Sequence, residues 1–342
     1  MWYCKMSLLL SWCFFALILG GCKKGGNMEF SIPLPANFET SSLIVQEDTF
    51  LLSGYYAHPV QQRINVNDWM SQNEAEIYLK SGTGDSWQRV LSLKSGDAFY
   101  LHQTDQGKII HCLVRFYSKS GERTTSLFRS EDAGKTWTKL PKLPTKFIGV
   151  VFTSGQKGYG WDGKSLYFTI DKGITWKSIL FYDEDRDLSD TVMQINDAVY
   201  FYALGSLVKA TGDNITLEQL PSHLNVTHLA MDESDNLIMV SRDSKNIVTI
   251  SIKAKDGSIK QVAQLGIFLP IKLFHKRGTT LLVASRLENH VPSKFYMVSK
   301  DNGLTWKEIS SNTKRPYYLN NSTVWGVGID KCLKGYREPE GT

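Results

Sequence analysis

Carboxylates that alternate along the chain between Asp183 and Asp190 are the densest group of residues capable of chemistry. Alternating oxygen ligands suit a calcium ion, but a calcium loop also needs Gly at its sixth position and Glu at its twelfth. Leu188 and Gln194 occupy those positions here. We therefore interpret this segment as a solvated acidic loop and predict no metal site.

No other catalytic or cofactor signature takes its place. The seven histidines lack the paired spacing of a zinc site, and the chain has neither a Gly-x-Ser-x-Gly elbow nor a phosphate-binding glycine loop. The prediction is no catalytic residue, no metal and no cofactor.

An eight-residue motif, Ser/Thr-x-Asp-x-Gly-x-Thr-Trp, occurs three times, starting at Ser130, Thr169 and Ser299. Each copy lies between two strand-like runs. The Gly permits a tight turn, while the Asp and the hydroxyl can hydrogen-bond nearby backbone groups. The Trp begins the return strand and can bury a large apolar surface. Every position therefore has a structural role, and we place no chemistry on the motif.

The motif resembles the Asp-box (BNR) repeat of sialidase-like β-propellers. The return strand recurs in degenerate form six times, at spacings of 50, 39, 41, 45 and 44 residues. Such spacings are typical of a four-stranded propeller blade. The six copies of the return-strand pattern start at Trp87, Trp137, Trp176, Leu217, Val262 and Trp306.

An all-β propeller of four-stranded blades is the predicted fold. The residues after Ile309 contain most of a further blade but lack one strand, which Met28–Pro33 can supply. This closure favours seven blades. The alternative is six blades, with the C-terminal tail packed on the surface. The one modest helical candidate is Asn67 to Tyr78.

The N-terminus carries a targeting signal. Lys5 precedes an apolar run, Ser7 to Leu19, that is too short for a normal membrane span. Leu19-Gly-Gly-Cys22 resembles a bacterial lipobox, so residues 1–21 are predicted to be removed and Cys22 to carry lipid. An ordinary signal peptide or an anchored helix is the alternative.

Residues 22–27 would then form a tether, and residues 28–342 a single propeller domain. The expected location is the periplasmic side of the bacterial cell envelope, with the outer membrane favoured. The formal net charge of +5 is spread along the chain without a Lys/Arg cluster, which argues against nucleic acid. Cys112 and Cys332 would remain, either paired or as two buried thiols.

The resemblance to sialidases implies three arginines that grip a carboxylate, a Tyr–Glu nucleophile pair and an Asp acid/base. Arg115, Arg242 and Arg286 have the spacing that three blades require. However, the Arg-Ile-Pro signature of that family is missing, because Ser31-Ile-Pro33 lacks the Arg and Arg63-Ile-Asn65 lacks the Pro. We therefore expect no sialidase activity.

A long insertion, Tyr55 to Glu76, interrupts the first repeat. Aromatic residues and Arg are typical of protein interfaces, so Tyr56, Arg63 and Trp69 are the predicted partner-binding residues. The alternative is a capping loop that packs Trp69 onto the ring.

The expected function is non-catalytic protein binding by a lipid-anchored propeller. The layout of lipobox plus degenerate propeller is similar to periplasmic immunity lipoproteins that neutralise type VI secretion effectors, including lipase toxins. A sialidase-like glycoside hydrolase and a periplasmic assembly factor are the alternatives.

Overall fold

The computed structural model describes residues 28–58, 66–82, 86–104, 107–181, 192–195, 197–203, 206–221, 224–276, 278–288, 291–309, 313–320, 323–328 and 332–337. Within these ranges the chain is built from 28 strands, which form seven four-stranded antiparallel sheets, and one short helix, α1 (Val66–Gln72). The fold is an all-β propeller, as the sequence predicted.

Six sheets, numbered I to VI, follow one another along the chain. Sheet I contains β2–β5, which are Phe38–Gln46, Thr49–Tyr56, Glu74–Ser81 and Gln88–Lys94. Sheet II contains β6–β9, which are Gly96–Thr104, Ile109–Tyr117, Arg123–Ser130 and Thr138–Lys139. Sheet III contains β10–β13, which are Gly149–Phe152, Gly158–Trp161, Ser165–Thr169 and Lys177–Phe181.

The second half of the ring repeats this order. Sheet IV contains β14–β17, which are Val192–Ile195, Ala198–Ala203, Ser206–Thr211 and Asn214–Gln219. Sheet V contains β18–β21, which are Val226–Met231, Leu237–Arg242, Ile247–Lys253 and Ile259–Ile267. Sheet VI contains β22–β25, which are Leu269–Lys276, Thr279–Glu288, Val291–Ser299 and Lys307–Ile309.

Sheet VII joins the two ends of the chain. It contains β1, β26, β27 and β28, which are Met28–Pro33, Thr313–Asn320, Thr323–Gly328 and Cys332–Arg337. β1 pairs antiparallel with β28, with Met28 opposite Arg337 and Pro33 opposite Cys332. Pro33 is tolerated because β1 is the edge strand of the sheet. This is the pairing that the sequence favoured when it assigned Met28–Pro33 to the last blade.

The three motif copies have the hydrogen bonds that the sequence predicted. In the first copy, the backbone N–H of Thr136 donates to Asp132 Oδ1 at 2.8 Å and the Thr136 hydroxyl donates to Oδ2 at 2.6 Å. The Ser130 hydroxyl donates to the same carboxylate and accepts from the N–H of Gly134. The copies at Asp171 and Asp301 repeat this pattern, so the motif is a structural hairpin.

The turn contains two consecutive residues with positive φ, whereas the Gly of the motif indicates only one. Ala133 and Gly134 have φ of 58° and 89°. A Cβ on Gly134 would also lie 2.9 Å from the Leu51 side chain of sheet I, so the turn packs closely against the preceding sheet.

Apolar side chains between neighbouring sheets form the core. Trp137 packs against a cluster that includes Leu51 of sheet I and Ile110 of sheet II, and Trp306 packs in the same way between sheets V and VI. The indole N–H of Trp137 donates to the carbonyl of Gly134 at 3.0 Å. Each motif Trp therefore anchors its own hairpin and contributes to an interface between sheets.

The predicted helix from Asn67 to Tyr78 is wrong in its second half. The helix ends at Gln72, and Glu74–Ser81 is β4. The apolar residues Ala75, Ile77 and Leu79 alternate with the polar residues Glu76 and Lys80, which is the period of a strand. The insertion is correspondingly shorter than predicted, because its ends belong to β3 and β4.

Cys112 and Cys332 are not joined by a disulfide bond. Cys112 is fully buried in β7, and burial raises the pKa of its thiol. No helix in the described part of the chain is long and apolar enough to cross a membrane.

The motif carboxylates should make stability depend on pH in acid. Burial alone would raise the pKa of Asp132, but hydrogen bonds from Thr136 and Ser130 outweigh it and hold the pKa at about 2. The unfolded value is about 3.9, so the stabilisation is present above about pH 4 and is lost as the pH falls through about 2. We predict that Asp132→Asn lowers the melting temperature at pH 7 by a few degrees, since one hydrogen bond contributes roughly 1 kcal/mol. In the Asp132→Asn protein, the melting temperature should also fall less steeply between pH 4 and pH 2 than it does in the parent.

Asp48→Asn, in the exposed turn between β2 and β3, is the matched control and should leave melting unchanged. An Asp132→Asn protein with the melting curve and acid profile of the parent would contradict this role.

Candidate functional site

Strand direction gives the ring two distinct faces. The motif hairpins join the third and fourth strands of their sheets, so they share one face with the connections between first and second strands. We call this the motif face. The opposite face carries the connections between second and third strands and the links from one sheet to the next, including the insertion in sheet I.

A cavity of about 950 Å³ lies along the first strands of sheets II, IV, V and VI and reaches sheet III at Ile148 and Trp161. These first strands form the inner wall of the ring, while Arg115 and Trp161 reach the cavity from second strands. We call this cavity the central pocket. The residues that line it are Phe99, Tyr100, Arg115, Ile148, Trp161, Val192, Met193, Gln194, Thr227, His228, Leu229, Ala230, Met231, Ile271, Lys272, Leu273, Phe274 and His275.

Trp161 forms an aromatic wall of the central pocket. It is 2% exposed and makes edge-on contacts with Tyr100 and Phe201, at centroid distances of 6.2 and 5.6 Å. Gly149 stands opposite Trp161 in the sheet, and a Cβ on Gly149 would lie 2.1 Å from the indole. The absence of a side chain at Gly149 therefore makes room for this ring. The indole N–H has no hydrogen-bond partner among the described residues.

Arg115 brings a positive charge to the same wall. Its guanidinium carbon lies 4.3 Å from the centroid of the Phe99 ring, which is cation–π geometry. Asp97 lies opposite Arg115 in the β6–β7 pair and accepts a hydrogen bond of 2.9 Å from the Ser41 hydroxyl. Burial raises the pKa of Asp97, although the hydrogen bond and Arg115 counteract the rise. The charge of Arg115 therefore has a carboxyl group near it in the same strand pair.

Lys272 and His275 contribute from sheet VI. The Lys272 ammonium lies 4.8 Å from the centroid of Phe274. His275 is held in place by Glu233 Oε2 at 3.0 Å and by the Thr280 hydroxyl at 2.8 Å. Burial alone would raise the pKa of Glu233, but hydrogen bonds, including those from His275 and Gly278, lower it below its usual range. His275 is thus fixed in position by its neighbours, whereas Lys272 adds a further cationic group to the wall.

No Asp or Glu is among the described residues that line the central pocket. The described part of the chain also contains no group of three or more His, Cys, Asp or Glu placed to hold a metal ion. The groups that do converge are cationic or neutral donors together with aromatic rings, which suits binding of an electron-rich ligand.

Two of the three predicted interface residues, Tyr56 and Trp69, lie in the described part of the chain. Trp69 is half-buried in α1 and packs edge-on against Tyr55 at 6.1 Å, as the capping-loop alternative requires. Tyr56 ends β3, accepts a hydrogen bond of 3.3 Å from Asn37 Nδ2 and packs against His58 at the opposite face. Arg63 lies outside the described residues, as do Cys22 and the acidic loop from Asp183 to Asp190.

Arg115, Arg242 and Arg286 do not converge on one site. Of the three, only Arg115 lines the central pocket. Arg286 makes a bidentate ion pair with Glu308 at 2.8 and 2.9 Å and lies over Phe295. Spacing by whole blades places the three arginines in different sheets, but it does not decide whether each side chain points into the ring or along it.

Most residues of the central pocket were missed by the sequence analysis. Thr227, His228 and Lys272 are polar residues in first strands that are otherwise largely apolar. These polar residues were the feature of the sequence that could have indicated a pocket. Trp161 gave no such signal, because its sequence context indicates only a buried strand.

Comparison with known proteins shows the fold. No family model and no curated protein sequence matches this chain. Among solved structures, YCF48 bound to a D1 peptide is 13% identical, with a TM-score of 0.59 over 93% of this chain and 99% of that one. The GH74 xyloglucanase from Xanthomonas campestris is 11% identical, with a TM-score of 0.58 over 88% of this chain and 52% of the enzyme. The GH74 enzyme of Niastella koreensis is 11% identical, with a TM-score of 0.55 over 81% of this chain. This chain spans about half the length of these two GH74 enzymes. At these identities the similarity concerns the β-propeller fold.

Proposed function

We propose that this protein is a non-catalytic binding propeller that holds another protein on its opposite face. The observation that carries the proposal is a group of exposed aliphatic side chains on that face. Ile267, Leu269, Ile271 and Leu287 are 69%, 51%, 38% and 73% exposed. We call this group the aliphatic patch.

The topology brings the aliphatic patch together. Ile267 ends the outer strand of sheet V, and Leu269 begins the inner strand of sheet VI two residues later. Leu287 lies near the end of β23, on the same face. Clustered exposed aliphatic side chains are typical of surfaces that bind a partner. The link between sheets V and VI would serve as the core of the interface, with Tyr56 on sheet I as a second contact.

The central pocket supports binding rather than hydrolysis. Most glycosidases use a pair of Asp or Glu residues on either side of the scissile bond. The described lining of the pocket offers Arg115, Lys272 and His275 instead. YCF48, whose solved structure carries a D1 peptide, is a propeller of similar fold with a peptide bound to it.

A more specific part of the proposal is that a lipid on Cys22 anchors this propeller to a membrane. The protein would lie on the periplasmic side of the cell envelope, with the outer membrane favoured. The support for this anchor is the lipobox that follows a short apolar run. A secreted toxin, such as a type VI lipase effector, is the proposed partner, on the basis of the layout alone.

We predict that a photo-cross-linking residue at position 287 or 269 captures a discrete protein adduct in cells of the native bacterium, because both positions lie in the aliphatic patch. Positions 170 and 304 are the matched controls: Ile170 and Leu304 are 64% and 52% exposed but belong to motif hairpins. Gel shifts and mass spectrometry identify the adduct. The purified partner should bind Leu287→Glu protein at least about thirtyfold more weakly, as expected for loss of a hot spot.

Adducts of equal yield on both faces, or none at position 287, would contradict the proposed interface. If the captured protein is a toxin encoded beside this chain, the toxin proposal gains support. If the captured protein is not a toxin, the toxin proposal is wrong and the proposal of protein binding remains.

The lipid anchor has its own test. Cys22→Ala should abolish metabolic labelling with a fatty-acid analogue and partitioning into detergent, because the thioether-linked lipid needs the Cys thiol. Cys112→Ala is the control and should keep both. Persistent labelling of Cys22→Ala protein would exclude lipidation at this residue.

We also predict that the purified domain does not hydrolyse sialosides or xyloglucan. Product release is measured against a known sialidase and a known xyloglucanase. Turnover that disappears in the Arg115→Gln protein would instead establish catalysis in the central pocket.

A further inference from the structure

We propose that the junction between sheets II and III on the motif face binds a small ligand that carries a phosphate or sulfate group. Two cavities there, of about 400 and 660 Å³, share Arg129, Glu131 and Lys172 in their lining, and Lys108 and Lys157 also line the larger one. We call the larger cavity the hairpin pocket. It lies on the face opposite to the aliphatic patch, and the proposal does not depend on the proposed protein partner.

Arg129 is the buried cation of the hairpin pocket. It is 5% exposed, its Nη1 donates to His111 Nε2 at 3.0 Å, and its Nε donates to Glu131 Oε1 at 3.0 Å. A guanidinium carries Nε and Nη2 along one edge, so Nη2 faces the same side as Glu131. This Nη2 makes no hydrogen bond with a described residue and is not closed off in the core. Arg129 therefore keeps a donor for a ligand oxygen.

His111 holds Arg129 without neutralising it. The His111 ring stacks on Phe152 with 3.6 Å between centroids. Burial, with the nearby His102 and Arg129, lowers the pKa of His111 well below its ordinary value. The imidazole is therefore neutral at pH 7 and accepts the hydrogen bond from Arg129. Among the described residues, the ion pair of Arg129 is with Glu131, whose carboxylate is 61% exposed.

Positive charge exceeds negative charge in the hairpin pocket. The ammonium groups of Lys108 and Lys157 are on exposed side chains and form no ion pair or hydrogen bond with a described residue. The Lys172 ammonium lies 3.4 Å from Glu131 Oε1 and shares this carboxylate with Arg129. The described lining thus has four cations and one carboxylate. A phosphate or sulfate dianion compensates more of this excess than a monovalent carboxylate does.

The two motif hairpins fix the backbone around the hairpin pocket. Glu131 and Lys172 occupy variable positions of the first and second motif copies, so the turns themselves do not require them. The N–H of Lys172 donates to the Gln156 carbonyl at 2.9 Å, and the N–H of Ala133 donates to the Lys108 carbonyl at 2.9 Å. Each hairpin is thereby tied to the neighbouring turn of its own sheet. A backbone fixed in advance lowers the entropic cost of binding a ligand.

A neutral donor and the available volume complete the hairpin pocket. The Ser154 hydroxyl oxygen accepts from the N–H groups of Gln156 and Lys157, at 3.3 and 3.1 Å, which leaves its own O–H to donate. A cavity of about 660 Å³ lies within the range of small-molecule sites. Asp132 lines only the smaller cavity, so its charge does not enter the lining of the hairpin pocket.

The experiment labels the isoleucine methyl groups of the purified protein with ¹³C and follows them by NMR. Ile109 lines the hairpin pocket, and Ile267 on the opposite face is the reference. The probes are inorganic phosphate, sulfate and glycerol 3-phosphate, with acetate at equal ionic strength as the comparison anion. Flotation with phosphatidylcholine vesicles, with and without phosphatidic acid, tests a lipid headgroup. We expect a saturable shift of the Ile109 signal with at least one soluble probe, while the Ile267 signal stays in place.

Substitutions of opposite sign assign the charges. Lys108→Gln and Lys157→Gln should each weaken binding by about fivefold, the upper range for an exposed ion pair. Glu131→Gln should instead tighten binding, because it removes the one carboxylate and frees the outer edge of Arg129. A residue that only stabilised the turn would not have this effect. Lys255→Gln, in the corresponding hairpin of sheet V, is the matched control and should bind as the parent does. Thermal unfolding checks that each variant is folded.

The outcomes separate the sources of the ligand. A shift with phosphate or sulfate supports a free oxyanion, and a shift with glycerol 3-phosphate alone supports a phosphate ester. Flotation that needs phosphatidic acid and is lost in the Lys157→Gln protein supports a lipid headgroup. Equal shifts with acetate, no response to any probe or vesicle, or unchanged affinity in the Lys108, Lys157 and Glu131 variants would overturn the proposal. Failure of cross-linking at position 287 would leave it untouched, so the two ideas fail separately.

Discussion

Pairing between the two ends of the chain is the constraint on which the ring depends. β1 forms the outer strand of sheet VII only because it meets β28 in antiparallel register, from Met28–Arg337 to Pro33–Cys332. Sheet VII then fills the gap between sheets VI and I, and its Leu333 joins a buried cluster with Phe38 and Leu52 of sheet I. The indole of Trp87 reaches across the same junction and donates to the Pro33 carbonyl at 2.7 Å. Closure is therefore both backbone pairing and side-chain packing.

Sheet I contains a buried polar network on the side that packs against sheet VII. Glu76 is 1% exposed and accepts hydrogen bonds from Arg89 at 2.8 Å and from the Tyr78 hydroxyl at 2.9 Å. Burial, followed by the bond to Glu76, raises the pKa of Tyr78 to about 12, so the phenol remains a donor at neutral pH. A buried carboxylate with two partners is directional, whereas apolar contacts are not. The network therefore orients Tyr78, which packs against the cluster shared with sheet VII.

The two faces of the ring differ in how their loops are held in place. The motif hairpins are fixed by their own hydrogen bonds and by the Trp residues between sheets, which leaves little freedom on the motif face. On the opposite face, the link through Phe268 between sheets V and VI is anchored by one buried ring, while Ile267 and Leu269 on either side remain exposed. The aliphatic patch and the central pocket both use residues that the motif turns do not require.

The sequence by itself determined the elements with local causes. The motif turns and the positions of the return strands follow from short-range hydrogen bonding and strand periodicity. Met28–Pro33 was assigned to the last sheet for a different reason, because the residues after Ile309 lack one strand, and this pairing is also present. Local pattern misjudged Asn67 to Tyr78, because the alternation of Ala75, Ile77 and Leu79 has a different period from the helical turn before it. The tertiary structure alone decided which side chains meet. Arg115, Trp161 and Lys272 belong to sheets II, III and VI and are far apart in the chain, so only closure of the ring places them around one cavity. It also separated Arg115 from Arg286, since the direction of a side chain depends on strand register and on the partner it finds, here Glu308.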